Sequence, residues 1–337
     1  MPATIRDVAH KAGVGLATVS RVINNSPLVS ETTRQRVQAA IAELHYSPNP
    51  TARRLSLGKT LTIGAIVPFF TRPSFVERLR GVEGTLADTA YDLIVFNVET
   101  VERRDRYFAE VPRRDRVDGL IVVSFTPTDE QAAVFRQSGI PVVLVDARHP
   151  ALPSVMEDCL HGGQLATQHL LNLGHRRIGY LSDVFDDPFN FTSRSRFRYE
   201  GYVAALEAAG APVRADYLKQ GAHGREPARA LATELLTLPE RPTAIFAASD
   251  TQALGVLEAA REVGLRVPED LSVVGYDDIE LAEYLGLTTV RQLLYESGQR
   301  GVEILLEAIA LDVAAPSYEA LPTELIVRRT TAPPPTA

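Results

Sequence analysis

One cysteine in 337 residues, Cys159, excludes an internal disulfide framework and suits a reducing, cytoplasmic compartment. No basic residue neighbours it in sequence to depress its pKa, so a buried structural thiol is expected rather than a nucleophile. No run of 18 apolar residues occurs, which excludes a helical membrane span, and no apolar stretch follows a basic start, so no secretory leader is expected. Enzyme signatures are missing too: there is no G-x-S-x-G elbow, no P-loop and no H-E-x-x-H. The seven histidines show no metal-ligand spacing, so neither a metal nor a cofactor is expected. Gly13-x-Gly15 lacks the third glycine of a dinucleotide loop and follows no strand.

The net charge of −7 argues against a nucleic-acid partner only until it is divided. Residues 1–60 hold eight Lys and Arg against three Asp and Glu, or +5, whereas the remainder holds 27 against 39, or −12. A basic head on an acidic body is the division expected of a DNA-reading module joined to something else.

The head reads as three short helices. Val8, Ala9 and Ala12 share one face of the first, Thr4 and Asp7 resemble a capping box at its start, and Gly13 stands where a left-handed residue would end it. Val19, Val22 and Ile23 recur at helical spacing in a second. Two helices around a tight Gly-containing turn make a helix-turn-helix, whose second helix offers its first residues to base edges in the major groove. Ser30 caps a third helix with an apolar stripe of Val37, Ile41 and Leu44. Asn49-Pro50 then opens a short basic segment, Thr51 to Leu55, too short to be a helix alone in water.

From Lys59 on, apolar runs alternate with amphipathic stretches. Strands are predicted at Thr62–Val67, Asp92–Asn97, Gly119–Ser124, Val142–Asp146, Arg177–Ser182, Ala244–Ala248 and Ser272–Tyr276. Helices are predicted at Phe75–Ala90, Gly163–Leu173, Arg198–Ala209, Ala228–Leu238 and Thr251–Val263. That alternation means parallel sheets covered on both faces, in two Rossmann-like lobes.

The run from Thr4 to Leu55, with TIRDVAHKAGV, TVSRVIN, ELHYSPN and ARRL, resembles the lac repressor/purine repressor family of bacterial regulators, and the likeness continues through the body. The resemblance implies a helix-turn-helix head at 1–48, a hinge helix and linker at 49–60, and a periplasmic-binding-protein-like body at 61–330. The body's N-lobe would take about 61–160 and 292–321, its C-lobe about 161–290 and 322–330, and 331–337 would form a disordered tail. Crossings between lobes fall near Asp158–Gly162, Thr289–Leu293 and Leu321–Pro322. The tail has no leucine-heptad helix, so a homodimer on a palindromic operator is expected.

By the same resemblance, DNA contacts fall on Thr4, Leu16, Ala17, Thr18, Ser20, Arg21, Asn24, Ala52, Arg53 and Leu55. Arg21 can pair bidentately with guanine, while Leu16 and Ala17 offer only apolar contact, as to a thymine methyl. Thr18, Ser20 and Asn24 suit phosphate. Leu55 would wedge into a base step of the minor groove, costing on the order of a few kcal/mol of unstacking. Gly15 stands where the family usually has a capping Ser, and a phosphate contact goes with it. Effector contacts are implied at strand ends: Asp277 and Arg198 first, which together suit vicinal hydroxyls, then Asp146, Ser249 and Gln292, with rings at Phe75 and His223. Asp183–Thr192 would form a lid with Phe185, Phe189 and Phe191. The expected function is transcriptional repression controlled by a small molecule, a sugar or alternatively a purine. A solute-binding protein with a vestigial head is the rival; the intact basic head and the missing leader count against it.

Overall fold

The structure is a computed structural model that describes residues 3–23, 26–46, 58–185, 192–311 and 315–335. Two units divide the chain at Thr60 and Leu61. In the first, α1 (Ile5–Ala12) is closed by Gly13 at φ +64° and opened by Thr4. The Thr4 amide donates to the Asp7 carboxylate at 2.8 Å and the Asp7 amide returns to the Thr4 hydroxyl at 3.4 Å. This is the capping box the sequence announces, with the shorter Asp doing what Glu usually does. α2 (Leu16–Ile23) buries Val19 and Val22, and α3 (Glu31–Glu43) buries Val37 and Ala40. Ile41 and Leu44, predicted on the α3 stripe, are only partly covered, because Ala40 lets the helices approach on that side.

The second unit contains two six-stranded sheets. In the N-lobe, β1 (Thr62–Pro68), β2 (Asp92–Val98), β3 (Gly119–Val123), β4 (Val142–Val145), β5 (Ser154–Glu157) and β11 (Tyr318–Leu321) run in the order β11-β5-β4-β3-β1-β2, all parallel. The C-lobe sheet is β12-β10-β9-β8-β6-β7, from β6 (Ile178–Asp183), β7 (Leu218–Gly221), β8 (Ala244–Ala247), β9 (Ser272–Asp277), β10 (Thr288–Gln292) and β12 (Thr323–Ile326). Its edge strand β12 is antiparallel to β10, a departure from the expected all-parallel sheet. β10 leads out of the C-lobe toward the helix Leu294–Leu311 and β11 of the N-lobe, and β12 leads back in through Pro322, so the two run in opposite directions. Both sheets contain the doubly wound order 2-1-3-4-5, whose strand order reverses beside the first strand of each lobe.

Helices cover both faces: α4 (Pro73–Leu86), α5 (Val101–Glu110), α6 (Asp129–Gln137) and α12 (Leu294–Leu311) in the N-lobe, and α7 (Cys159–Asn172), α8 (Thr192–Ala208), α9 (Arg225–Leu236), α10 (Asp250–Glu262) and α11 (Glu280–Leu285) in the C-lobe. α7 to α10 each start ahead of the predicted position; in α8 to α10 the residues gained are mostly polar and precede the apolar repeat that marks a helix in sequence. No helix among the described residues is long and apolar enough to cross a membrane. Cys159 is buried and in no disulfide.

The C-terminal segment corrects the expected disordered tail as far as residue 335. His169 Nε2 lies 2.9 Å from the Thr331 hydroxyl, His175 Nε2 lies 2.9 Å from the Ala332 carbonyl, and the Ala332 amide donates to Ser272 at 3.0 Å. Low-complexity composition misled because polar groups, not apolar area, hold the segment. Burial holds both imidazoles below their ordinary value of 6.5. The folded state therefore binds fewer protons than the unfolded chain below pH 6.5, and stability falls as pH falls through that value. Melting temperature should drop between pH 7.5 and 5.5, and a His169→Gln/His175→Gln double variant should show a flatter profile over the same interval.

Candidate functional site

Polar residues collect where the strands end. Five positions at the carboxyl ends carry positive φ without being glycine: Phe69 (+39°) after β1, Ser124 (+64°) after β3, Asp146 (+56°) after β4, and Asp277 (+121°) and Asp278 (+58°) at the end of β9. Each costs on the order of 1–3 kcal/mol and persists only where surrounding structure imposes it, as ligand sites do. In doubly wound sheets this is the edge that binds ligands.

Four of the predicted effector residues, Asp146, Arg198, Asp277 and Gln292, converge there. Asp146 accepts from the Ser124 hydroxyl at 2.5 Å. The Asp277 carboxylate accepts from the Gln292 amide, and Arg198 Nη2 approaches it to 4.0 Å. Arg198 itself lies over the Tyr276 ring at 3.8 Å and donates to the Ala248 carbonyl at 2.5 Å. Its guanidinium is thus held flat, with its charge beside Asp277. Gln292 joins the group from β10.

Other predictions land differently. Phe75 is buried in the N-lobe core with Val67 and Val82, so its ring is packing; its position one turn into α4 turns it toward β1. Ser249 is the N-cap of α10, its oxygen accepting from the Gln252 amide at 3.2 Å. His223 Nδ1 lies 3.2 Å from Asp183 Oδ1, the last residue of β6, which also accepts from Gln252 at 3.0 Å. Burial works against the charge on Asp183, but the His223 hydrogen bond and the charges of His223, Arg72 and Arg198 hold its carboxyl below the usual range. Phe185, expected in a lid, packs against Tyr199 in the C-lobe core, with ring centroids 5.2 Å apart. Phe189 and Phe191 lie outside the described residues.

Asp183 could have been found by the rule that picked Asp146 and Asp277, a polar residue closing a strand. Glu157 obeys the same rule but closes β5, a four-residue strand too short to stand out. Arg78 had no signal: a charge in the middle of an amphipathic helix reads as exposed, yet only 2% of it is. Its Nη2 lies 2.9 Å from Glu157, 3.3 Å from Asp146 and 3.3 Å from Gln292. Burial opposes its charge, and Asp146 and Glu157 more than offset that. Asp250 and Asp278 are structural. Asp250 accepts from Thr289 at 2.6 Å and from the Ile279 amide at 2.9 Å, and burial beside Asp277 pushes it well above the carboxylate range. Asp278 accepts from Arg291 at 2.7 Å and forms an ion pair with Arg328 at 2.7 Å. A cavity of about 470 Å³ adjoins the constellation at Glu157, lined from both lobes by Thr126, Arg148, Met156, Cys159, Phe197 and Tyr318. It is roomy enough for a small metabolite.

In the head, Leu16, Ala17 and Arg21 are exposed along one side of α2, opposite the buried Val19 and Val22; Thr18 and Ser20 are half-buried. Thr4 is exposed and engaged in its cap. Asn24, Ala52, Arg53 and Leu55 lie outside the described residues.

A small helical head with an exposed recognition helix, together with a two-lobed body bearing a polar site at its strand ends, defines a ligand-responsive DNA-binding protein. Residues 4–49 match the bacterial regulatory proteins of the lacI family, and residues 167–331 match the periplasmic binding protein-like domain. The chain is 36% identical over 334 residues to the HTH-type transcriptional repressor PurR of Haemophilus influenzae, covering 97% of this chain and 98% of that one. It is similar to the lac repressor dimer bound to operator and the anti-inducer ONPF, with a TM-score of 0.86 and 29% identity over 98% of this chain and all of that one. It is also similar to a cellobiose complex of the regulator CelR, with a TM-score of 0.72 and 31% identity over 97% of this chain and 99% of that one. The chain belongs to the lacI family and is a DNA-binding transcriptional regulator with a small-molecule effector.

The site's rigidity rests on the contact of α4 with α12. A Cβ on Gly298 would stand 2.0 Å from the Arg78 carbonyl oxygen, and one on Gly81 would stand 1.9 Å from that of Tyr295. Gly298→Ala should therefore cost about 1–3 kcal/mol of overpacking. Urea denaturation, with wild type and an exposed-site control such as Gln168→Ala in parallel, measures it.

Proposed function

We propose that the protein is a cytoplasmic repressor that binds a palindromic operator as a homodimer, with affinity set by a sugar or sugar derivative in the cleft between the lobes. The effector reading is carried by Asp146 and Asp277 on strained strand ends, with Arg198 of α8 beside Asp277. Carboxylates accept two hydrogen bonds and a guanidinium donates two, the pattern that paired hydroxyls require. The cellobiose complex above supports a sugar, as does a lacI-family regulator from Enterococcus faecium with bound ribose, which is 31% identical over 81% of this chain and 99% of that one, with a TM-score of 0.71. A purine is the second reading, favoured by the relatives named PurR.

The dimer reading draws support from exposed apolar side chains with no core of their own to join: Ile94 and Val95 on the edge strand β2, and Leu281 and Tyr284 on α11. Tyr284 is 80% exposed. On DNA, Arg21 reads guanine and Leu16 and Ala17 meet methyl groups, while Thr4, Thr18, Ser20 and Asn24 set register on phosphate. Ala52 and Arg53 of the hinge segment add DNA contacts, and Leu55 wedges the central step. Effector binding rotates the lobes and changes the spacing of the hinges, a coupling of about 1–3 kcal/mol.

Fluorescence anisotropy on the operator upstream of the protein's own gene tests the DNA half. Arg21→Ala should weaken binding by about 1–3 kcal/mol and relax preference at one base position. Leu55→Ala should weaken operator binding and leave effector affinity without DNA unchanged. Thermal-shift screening against sugars, sugar phosphates and purines tests the other half. The hit that raises the melting temperature of wild type should lose its effect on Arg198→Ala, and full retention would remove the pocket assignment.

A further inference from the structure

The guanidinium of Arg78 is the one cation among the described residues that bonds both lobes from full burial. It belongs to α4 of the N-lobe, and its partners Glu157 and Asp146 close N-lobe strands. Its third partner, Gln292, closes β10 of the C-lobe sheet. Gln292 then turns its amide N–H to Asp277 on the neighbouring strand β9. A buried chain of polar contacts thus runs from Ser124 through Asp146, Arg78 and Gln292 to Asp277, every member less than 8% exposed.

The backbone makes this chain stiff. Two residues after Gln292, α12 begins at Leu294, and its Gly298 lies directly against the Arg78 carbonyl, with no space for even a methyl group. Arg78 therefore cannot shift relative to the 292–298 segment without opening the α4–α12 contact. A buried charge held by several partners is costly to leave unpaired, so moving any one of them is felt by the rest.

We propose that Arg78 is a positioning residue for the cleft: it sets Asp146 directly and Asp277 through Gln292, so that one guanidinium holds the carboxylates of both lobes in register. The proposal rests on the effector reading only for its consequence, that a ligand engaging Asp277 is felt at Asp146. A ligand that draws Asp277 away from Gln292 frees the Gln292 amide and alters the third bond of Arg78. The N-lobe strand end then relaxes in concert with the C-lobe, with no ligand contact of its own needed.

Hydrogen–deuterium exchange on the full chain, free of DNA and of any sugar, tests this. In Arg78→Met, amides at 144–147 and at 276–279 should both exchange about tenfold faster than in wild type, because local opening at either strand end is no longer restrained. Gln292→Leu should accelerate 276–279 and, through the lost third bond of Arg78, accelerate 144–147 to a smaller extent. The double variant should show no further acceleration at 276–279 beyond Arg78→Met, since both substitutions break the same path. Arg78→Lys keeps a charge for Asp146 and Glu157 but lacks the planar fork. It should restore 144–147 and not 276–279, and it serves alone if the Met variant does not fold. Acceleration confined to α4 and 144–147 in Arg78→Met, no change at 276–279 in Gln292→Leu, or additive effects in the double variant would each overturn the proposal. Because no sugar is present, a failure here is separate from a failure of the thermal-shift screen.

Discussion

A guanidinium held out of water dictates much of the body's construction. Charge burial costs several kcal/mol per ion unless partners return it, so Arg78 survives in the interior only because Glu157, Asp146 and Gln292 surround it. Those partners come from strands of both sheets, and each closes its strand. The strands must therefore end at matched heights, and the helix carrying Arg78 must dock without a gap. The glycines at 81 and 298 meet that demand, and the positive φ of Asp146 and Asp277 turns the carboxylates inward, toward the cleft rather than along the strand.

The same logic separates the acids of the C-lobe. Asp250 and Asp277 are both buried and close enough to influence one another, and two like charges there cannot both be cheap. Burial raises both carboxyls, and Arg198 and Arg78 pull Asp277 back, whereas Asp250 has only neutral donors, the Thr289 hydroxyl and the Ile279 amide. Of the two, Asp250 therefore holds its proton the more tightly. One acid fastens β10 to the start of α10, and the other lies beside Arg198 at the end of β9.

Periodicity made the head legible, since its core is nearly all Val and Ala at helical spacing and its caps are local hydrogen bonds between residues three apart. The long apolar strands were legible for the same reason: their order is written in consecutive residues. The short strands β5, β7, β11 and β12 were not, because four residues at a sheet margin carry too little pattern and owe their pairing to neighbours distant in sequence. The candidate site divides likewise. Asp146, Arg198, Asp277 and Gln292 were readable as polar residues at strand ends or through family likeness. Arg78 and Glu157 were not, because nothing along α4 records that a carboxylate 79 residues away will neutralise it. Ser249 and Phe75 show why a site is hard to separate from structure in sequence: a capping hydroxyl and a core ring occupy positions of the same type as ligand contacts.

Size sets how such a site can govern a DNA-reading head. The head's core consists of seven small or β-branched residues with partly covered neighbours, whereas the body has apolar clusters on both faces of two sheets. A unit of about 60 residues is marginally stable, because it buries a smaller fraction of its surface than a large one. Effector coupling of about 1–3 kcal/mol is small beside the cohesion of the body's sheets. The polar chain through Arg78 fits that scale. It rearranges by exchanging a few hydrogen bonds of about 0.5–1.5 kcal/mol each, a change the sheets can absorb without losing their cores.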